Sequence, residues 1–164
     1  MLDFYIFKKL EIKIIMMSLP QDKIYVLTPY FHPAKEAGGP VISLNNLIKK
    51  INKDFVVITS NFEIRSRKKI FKTSDAVIIN QMGGRDIFYF NFSNLFRFIF
   101  HFKKIIKTCR LIYLNSFFNF KFSFLPILLF KKIIISPRGE LSPEALSKKK
   151  YLKSIYLILF KIVS

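Results

Sequence analysis

Short runs of β-branched and aromatic residues, each followed by a polar loop and then by apolar residues at helical spacing, recur along this chain. The clearest unit opens with Ile24-Tyr25-Val26-Leu27-Thr28, a strand-like run stopped by Pro29. The loop from Pro29 to Gly39 holds His32, Pro33 and the pair Gly38-Gly39. Pro40 suits the first turn of a helix, where its missing N–H would be unpaired anyway. Val41, Leu44, Leu47, Ile48 and Ile51 then give that helix one apolar face.

Further units follow. Phe55 to Thr59 reads as a second buried strand, and Asn61 to Ser74 as a basic, exposed connection. Ala76 to Asn80 and Ile87 to Phe90 read as two strands around a Gly83-Gly84 turn. Ser93 can cap a helix with Leu95, Phe98, Ile99, Phe102, Ile105 and Ile106 on its stripe, leaving His101 at the surface. Leu111 to Leu114 is the next strand, followed by Asn115-Ser116 and a helix-like stretch from Phe118 to Phe130. Ile133 to Ile135 is the last strand and runs into Ser136-Pro137-Arg138-Gly139-Glu140. Ser142-Pro143-Glu144 then supplies an N-cap, a first-turn proline and a first-turn acid. The final helix is predicted to carry Leu152, Ile155, Tyr156, Leu159 and Ile162 on one side. This rhythm predicts an α/β fold with a mostly parallel sheet flanked by helices. Ligands bind such sheets at the carboxyl ends of the strands. Three loops leave those ends: Pro29 to Gly39, Asn115 to Asn119 and Ser136 to Leu141.

At 164 residues the chain has room for one domain. Residues 23–164 are assigned to it, and residues 1–22 to an N-terminal extension, either an over-extended start or a loose tail. Asp3 and Glu11 interrupt that extension, so it is a poor signal peptide. Cys109 is the only cysteine, which excludes an intramolecular disulfide and reads as a small core residue. No charge-free apolar run approaches the ~18 residues of a membrane span, because Lys121 separates the two longest. A cytoplasmic location, with peripheral contact at the inner face of a membrane, is the expectation.

The net charge of +18 concentrates in residues 61–150, notably around Arg65 to Lys72, Lys103 to Arg110 and Lys148 to Lys153. Such a field attracts phosphate-bearing partners without choosing between nucleic acid, anionic lipid and a lipid pyrophosphate. With 22 Lys against 6 Arg, a plain compositional habit explains it equally well.

Several chemistries are excluded by motif. The chain has no G-x-G-x-x-G, no Walker loop and no H-E-x-x-H, and its two His and single Cys cannot build an ordinary zinc site. No metal and no cofactor are expected.

Three segments, in order, resemble the N-terminal domain of family 4 glycosyltransferases of the GT-B fold. The first is Tyr25-Val26-Leu27-Thr28-Pro29-Tyr30-Phe31-His32-Pro33 with Gly38-Gly39-Pro40 leading into Ser43-Leu44-Asn45-Asn46-Leu47. The second is Leu111-Ile112-Tyr113-Leu114-Asn115-Ser116-Phe117-Phe118. The third, Ser136-Pro137-Arg138-Gly139-Glu140-Leu141-Ser142-Pro143-Glu144-Ala145-Leu146, is the most specific. The bland reading of each is a capped strand-to-helix junction, but capping alone does not account for Arg138.

The resemblance implies a Rossmann-like, acceptor-side half of a retaining enzyme that moves a sugar from a nucleotide donor to a saccharide or lipid-linked saccharide. It further implies that Gly38, Gly39, Pro40, Arg138 and Gly139 meet donor phosphate or acceptor, glycine for want of Cβ bulk and the helix N-terminus for its affinity for anions. His32, Asn115, Ser116 and Glu140 would line the acceptor side, and no residue is singled out as catalytic. Donor binding in the family rests on a second Rossmann domain with an E-x7-E pair, and no two glutamates here have that spacing. The chain is therefore expected to stop before the donor half and to be inactive alone. The competing class is a non-enzymatic basic module on nucleic acid or an anionic membrane, although nucleic acid is not the expected partner.

Overall fold

The computed structural model describes residues 23–51, 55–72, 77–82, 85–91, 99–100, 102–103, 109 and 111–163. The 1–22 extension, the Gly83-Gly84 turn and His101 lie outside them, as does most of the helix expected after Ser93.

Six strands form one sheet: β1 (Ile24–Leu27), β2 (Phe55–Ser60), β3 (Val77–Met82), β4 (Arg85–Phe90), β5 (Leu111–Leu114) and β6 (Ile133–Ile135). Their spatial order is β3-β4-β2-β1-β5-β6. All neighbours are parallel except β3 and β4, an antiparallel pair that puts β3 at the edge. The fold is thus the α/β, Rossmann-like, mostly parallel sheet that the alternating pattern predicts.

The central strands show why the sheet is buried on both sides. In β1, Tyr25 and Leu27 join one core with Val56, Ile58, Phe88, Phe90, Ile112 and Leu114. Val26 joins the other with Phe55, Val57, Ile87 and Tyr89. Side chains alternate across a strand, so a strand covered on both faces reads as a continuous apolar run. Helix α1 (Gly39–Lys50) closes the second core with Leu44 and Ile48. The first core is closed by Phe102 and by Phe122 and Leu125 from the segment after β5.

That segment begins more loosely wound than a single α-helix. Asn119 accepts from the Phe122 N–H and caps a π-helix (Phe120–Phe124), which runs into α2 (Leu125–Leu129) with Pro126 in its first turn.

The end of the chain departs from expectation in two ways. Ser142 caps a short α3 (Pro143–Ser147) by accepting from the Ala145 N–H, as its sequence predicts. The chain then breaks at Lys149, with φ 57°, before α4 (Lys150–Val163). Of the predicted stripe of α4 only Tyr156 faces the protein. Leu152, Ile155 and Ile162 are 66%, 55% and 75% exposed, and Ile158 and Leu159 are exposed beside them. Tyr156, from that stripe, and Phe160, which is not among its predicted members, make the contacts, against Phe117, Phe118 and Phe124. Helical spacing identifies an apolar face but not what that face meets; here the sheet is already covered by Phe122 and Leu125.

Candidate functional site

From β1 the chain moves outward through β2 to β4 on one side and then crosses to β5 on the other. The loops after β1 and β5 therefore part at the carboxyl edge, the switch point where open α/β sheets form their crevice. Both loops start from buried polar residues. Asn115 continues the sheet by donating its N–H to the Leu27 carbonyl (2.9 Å), and Thr28 does so by donating to Ile58 (3.1 Å). The Asn115 Nδ2 lies 3.5 Å from Thr28 Oγ1, which donates to the Tyr30 carbonyl at 2.9 Å.

Arg138 reaches this crevice from the loop after β6. Its Nε–H donates to Asn115 Oδ1 (2.6 Å), Nη1 to Ser43 Oγ (2.7 Å) and Nη2 to Tyr113 Oη (3.2 Å). All three acceptors are neutral, so these bonds fix the guanidinium in direction without neutralising its charge. The backbone is shaped to deliver it. Arg138 has φ 49° and Gly139 has φ 80°, two successive residues in the left-handed region that a non-glycine residue seldom enters. Such outliers are held in place by surrounding contacts and gather at functional sites.

Ser43 lies just over one turn into α1, whose N-cap is Gly38, at φ 54° and ψ −126°, with no side-chain cap. A Cβ on Gly38 or Gly39 would meet nothing within 4 Å, so the helix N-terminus is open on that side. Pro40 sits in the first turn and is exposed.

Ser116 and Glu140 are brought together. Ser116 Oγ donates to Glu140 Oε1 (2.8 Å), while the N–H groups of Phe117 and Phe118 donate to Oε2, the latter at 3.0 Å. Ser116 is buried, and its carbonyl accepts from Ser123 Oγ at 2.7 Å. The carboxylate is thus engaged in tying the β6 loop to the β5 loop, which steadies Arg138 two residues away. His32 is exposed, and its carbonyl accepts from Tyr89 Oη. No contact joins the His32 side chain to Arg138 among the described residues.

Structure adds residues that sequence reasoning missed. Ser43 and Tyr113 complete the Arg138 fork, and Thr28 supports Asn115. All three stand in the segments that carry the resemblance, one in the first turns of the helix and two near strand ends, but nothing local marked them as partners of Arg138 and Asn115.

The basic connection after β2 is also more than an exposed linker. Asn61, fully buried, accepts from the Phe71 N–H (2.8 Å) and donates back to the Phe71 carbonyl (2.9 Å), closing a compact loop. That loop is tied to the glycine loop by reciprocal carboxylates. Glu63 accepts from the N–H groups of Lys35 and Glu36, and Glu36 accepts from those of Arg65 and Ser66. The Ser66 and Arg65 N–H groups hold the Glu36 carboxyl below its ordinary pKa. It forms a fourth loop at the carboxyl edge.

Among the described residues, no helix is long and apolar enough to cross a membrane, and no group of three or more His, Cys, Asp or Glu could hold a metal ion. Comparison with known protein families, with curated proteins and with solved structures finds no match.

Proposed function

We propose that this domain is the acceptor-side half of a retaining glycosyltransferase that moves a sugar from a nucleotide donor to a saccharide or lipid-linked saccharide. The observation that carries the reading is the Arg138 guanidinium, aimed into the switch-point crevice by three neutral acceptors. It is bonded to the helix that starts at Gly38-Gly39. A directed cation beside an uncapped helix N-terminus stabilises the charge that develops on a leaving diphosphate. Asn115 is then a positioning residue for Arg138, and Ser116 with Glu140 a brace behind it. The nucleoside of the donor needs a second domain, so sugar transfer by this domain alone is not expected.

A peripheral place on the cytoplasmic side of a membrane accompanies this reading. Its support is α4, whose aliphatic side (Leu152, Ile155, Ile158, Leu159 and Ile162) is exposed next to Lys148, Lys149 and Lys150. An apolar helix face edged by lysines suits the surface of an anionic bilayer. The net charge of +18 opposes self-association and favours an anionic surface. The second reading is a non-enzymatic basic module. Its nucleic-acid form calls for exposed aromatic platforms, and only Phe100, Phe120 and Tyr151 are exposed aromatics of the described core and helices.

The test is titration of the 15N-labelled chain with inorganic pyrophosphate. On this reading the Gly39 amide and Arg138 Nε–H resonances shift, and Arg138→Gln abolishes the response. Absence of any shift at these groups overturns the reading. Sugar transfer by the purified chain alone would overturn the need for a second domain.

A further inference from the structure

A second concavity opens at the carboxyl edge, on the β2 and β4 side of the sheet. It has a volume of about 480 Å³, within the usual range for a small-molecule site. Four parts of the chain wall it: the loop after β1 through Tyr30, the fourth loop through Phe62, Glu63 and Arg67, the end of β4 through Phe90, and the π-helix through Phe120 to Phe122. None of the partners of Arg138 lines it.

The wall has two chemical characters. Tyr30, Phe62 and Phe120, half-buried or exposed, offer aromatic carbon, next to the buried Phe90 and Phe122. Arg67 and Lys121 present positive charge. Glu63, the one acid lining the cavity among the described residues, has its two oxygens engaged by the Lys35 and Glu36 N–H groups at 3.0 and 3.2 Å. The two cations feel one another: burial first, and the Arg67 charge second, push the Lys121 amine below its ordinary pKa. Arg67 is brought there by a left-handed backbone, φ 54°, in the loop that Asn61 closes.

Aromatic carbon receives the apolar face of a sugar ring, while Arg67 and Lys121, lining the same cavity, attract an anionic substituent. We propose that this cavity binds a sugar ring bearing one anionic substituent, a carboxylate or a phosphate, and is the acceptor subsite of the domain. The acceptor role rests on the glycosyltransferase reading; the binding site does not. The acceptor of this domain is accordingly an acidic sugar rather than a neutral one.

The full chain is titrated calorimetrically with glucuronate, glucose 6-phosphate, glucose and inorganic phosphate. At least one of the two acidic sugars binds about tenfold or more tightly than glucose and than phosphate, and which one does so identifies the anion. Arg67→Asn, which tolerates the left-handed backbone, and Lys121→Gln each weaken that binding about fivefold or more, with the circular dichroism spectrum retained. Phe120→Ala weakens the acidic sugar and leaves phosphate unchanged. Glucose binding as tightly as both acidic sugars, phosphate alone matching them, or folded Arg67→Asn and Lys121→Gln variants that bind as the parent does each overturns the proposal. Arg138→Gln separates the two readings, because it removes the pyrophosphate response and leaves the acidic-sugar titration unchanged.

Discussion

The Nε–H of Arg138 donates to Oδ1 of Asn115 across 2.6 Å, and this bond joins the loop after β6 to the buried end of β5. It fixes one edge of a planar cation whose other edge is free to turn only if Ser43 and Tyr113 are lost as well. The crevice at the switch point therefore holds its charge in one direction before any ligand arrives.

Arg138→Lys is expected to lose most of that order, since an ammonium cannot reproduce the fork that meets three acceptors. Hydrogen bonds to charged groups contribute about 1.5–3 kcal/mol each where they are buried, and partial exposure here reduces the loss. A drop in stability of about 1 kcal/mol by urea unfolding, with the pyrophosphate shift at Gly39 weakened about tenfold, is the expected outcome. Unchanged pyrophosphate binding would remove Arg138 from the site.

Glu140→Gln tests the brace. The amide keeps one acceptor oxygen but places a donor against the Ser116 hydroxyl or the Phe117 and Phe118 N–H groups. About 1–3 kcal/mol of stability is lost by urea unfolding, and the Arg138 Nε–H resonance moves because its loop is released. A sharp drop in pyrophosphate binding with no change in stability would instead make Glu140 a ligand-facing group.

The two glycines separate backbone strain from ligand approach. Gly38→Ala forces an L residue to φ 54° and ψ −126° and is expected to cost about 1–3 kcal/mol. Gly39→Ala meets nothing within 4 Å and has no positive φ to maintain. Its melting temperature stays near that of the parent, while its pyrophosphate response falls because the added Cβ stands where the anion approaches. An undiminished response in Gly39→Ala would mean that the anion does not approach there.

The Glu36 tie gives a pH dependence. Its carboxyl is held below the ordinary value by the Ser66 and Arg65 N–H groups. A carboxyl whose folded pKa is depressed contributes stability above its unfolded pKa and loses it as pH falls through the folded value. Amide exchange of Arg65 and Ser66 should therefore accelerate, relative to the central strands, as pH drops below the ordinary carboxylate range. In Glu36→Gln that acid step is absent.

The outward face of α4 is checked with vesicles. The full chain should co-sediment with vesicles containing phosphatidylglycerol and not with pure phosphatidylcholine, and Ile155→Glu with Ile158→Glu should reduce the bound fraction severalfold. Equal binding to neutral vesicles, or no effect of the double substitution, would dissociate α4 from any membrane contact.

Much of the architecture was written in local pattern. The apolar runs at Ile24, Phe55 and Leu111, the Ser142 cap and the glycine-proline start of α1 are each decided by neighbours within a few residues. Sequence by itself therefore determined the alternation of strands and helices, the mostly parallel sheet, and three of the four loops described at its carboxyl edge. It also named Arg138 and Asn115, although not that one holds the other. The convergence of Arg138 with Ser43, 95 residues apart, and the use of Glu140 as a brace for Phe117 and Phe118, 23 and 22 residues away, were decided only in the tertiary structure. The same holds for the outward turn of the Leu152 and Ile155 face and for the meeting of Arg67 with Lys121 around one cavity. The physical reason is common to all four. Periodicity and capping act over one or two turns of chain, whereas partners distant in sequence are brought together only when the strand order fixes which loops are neighbours.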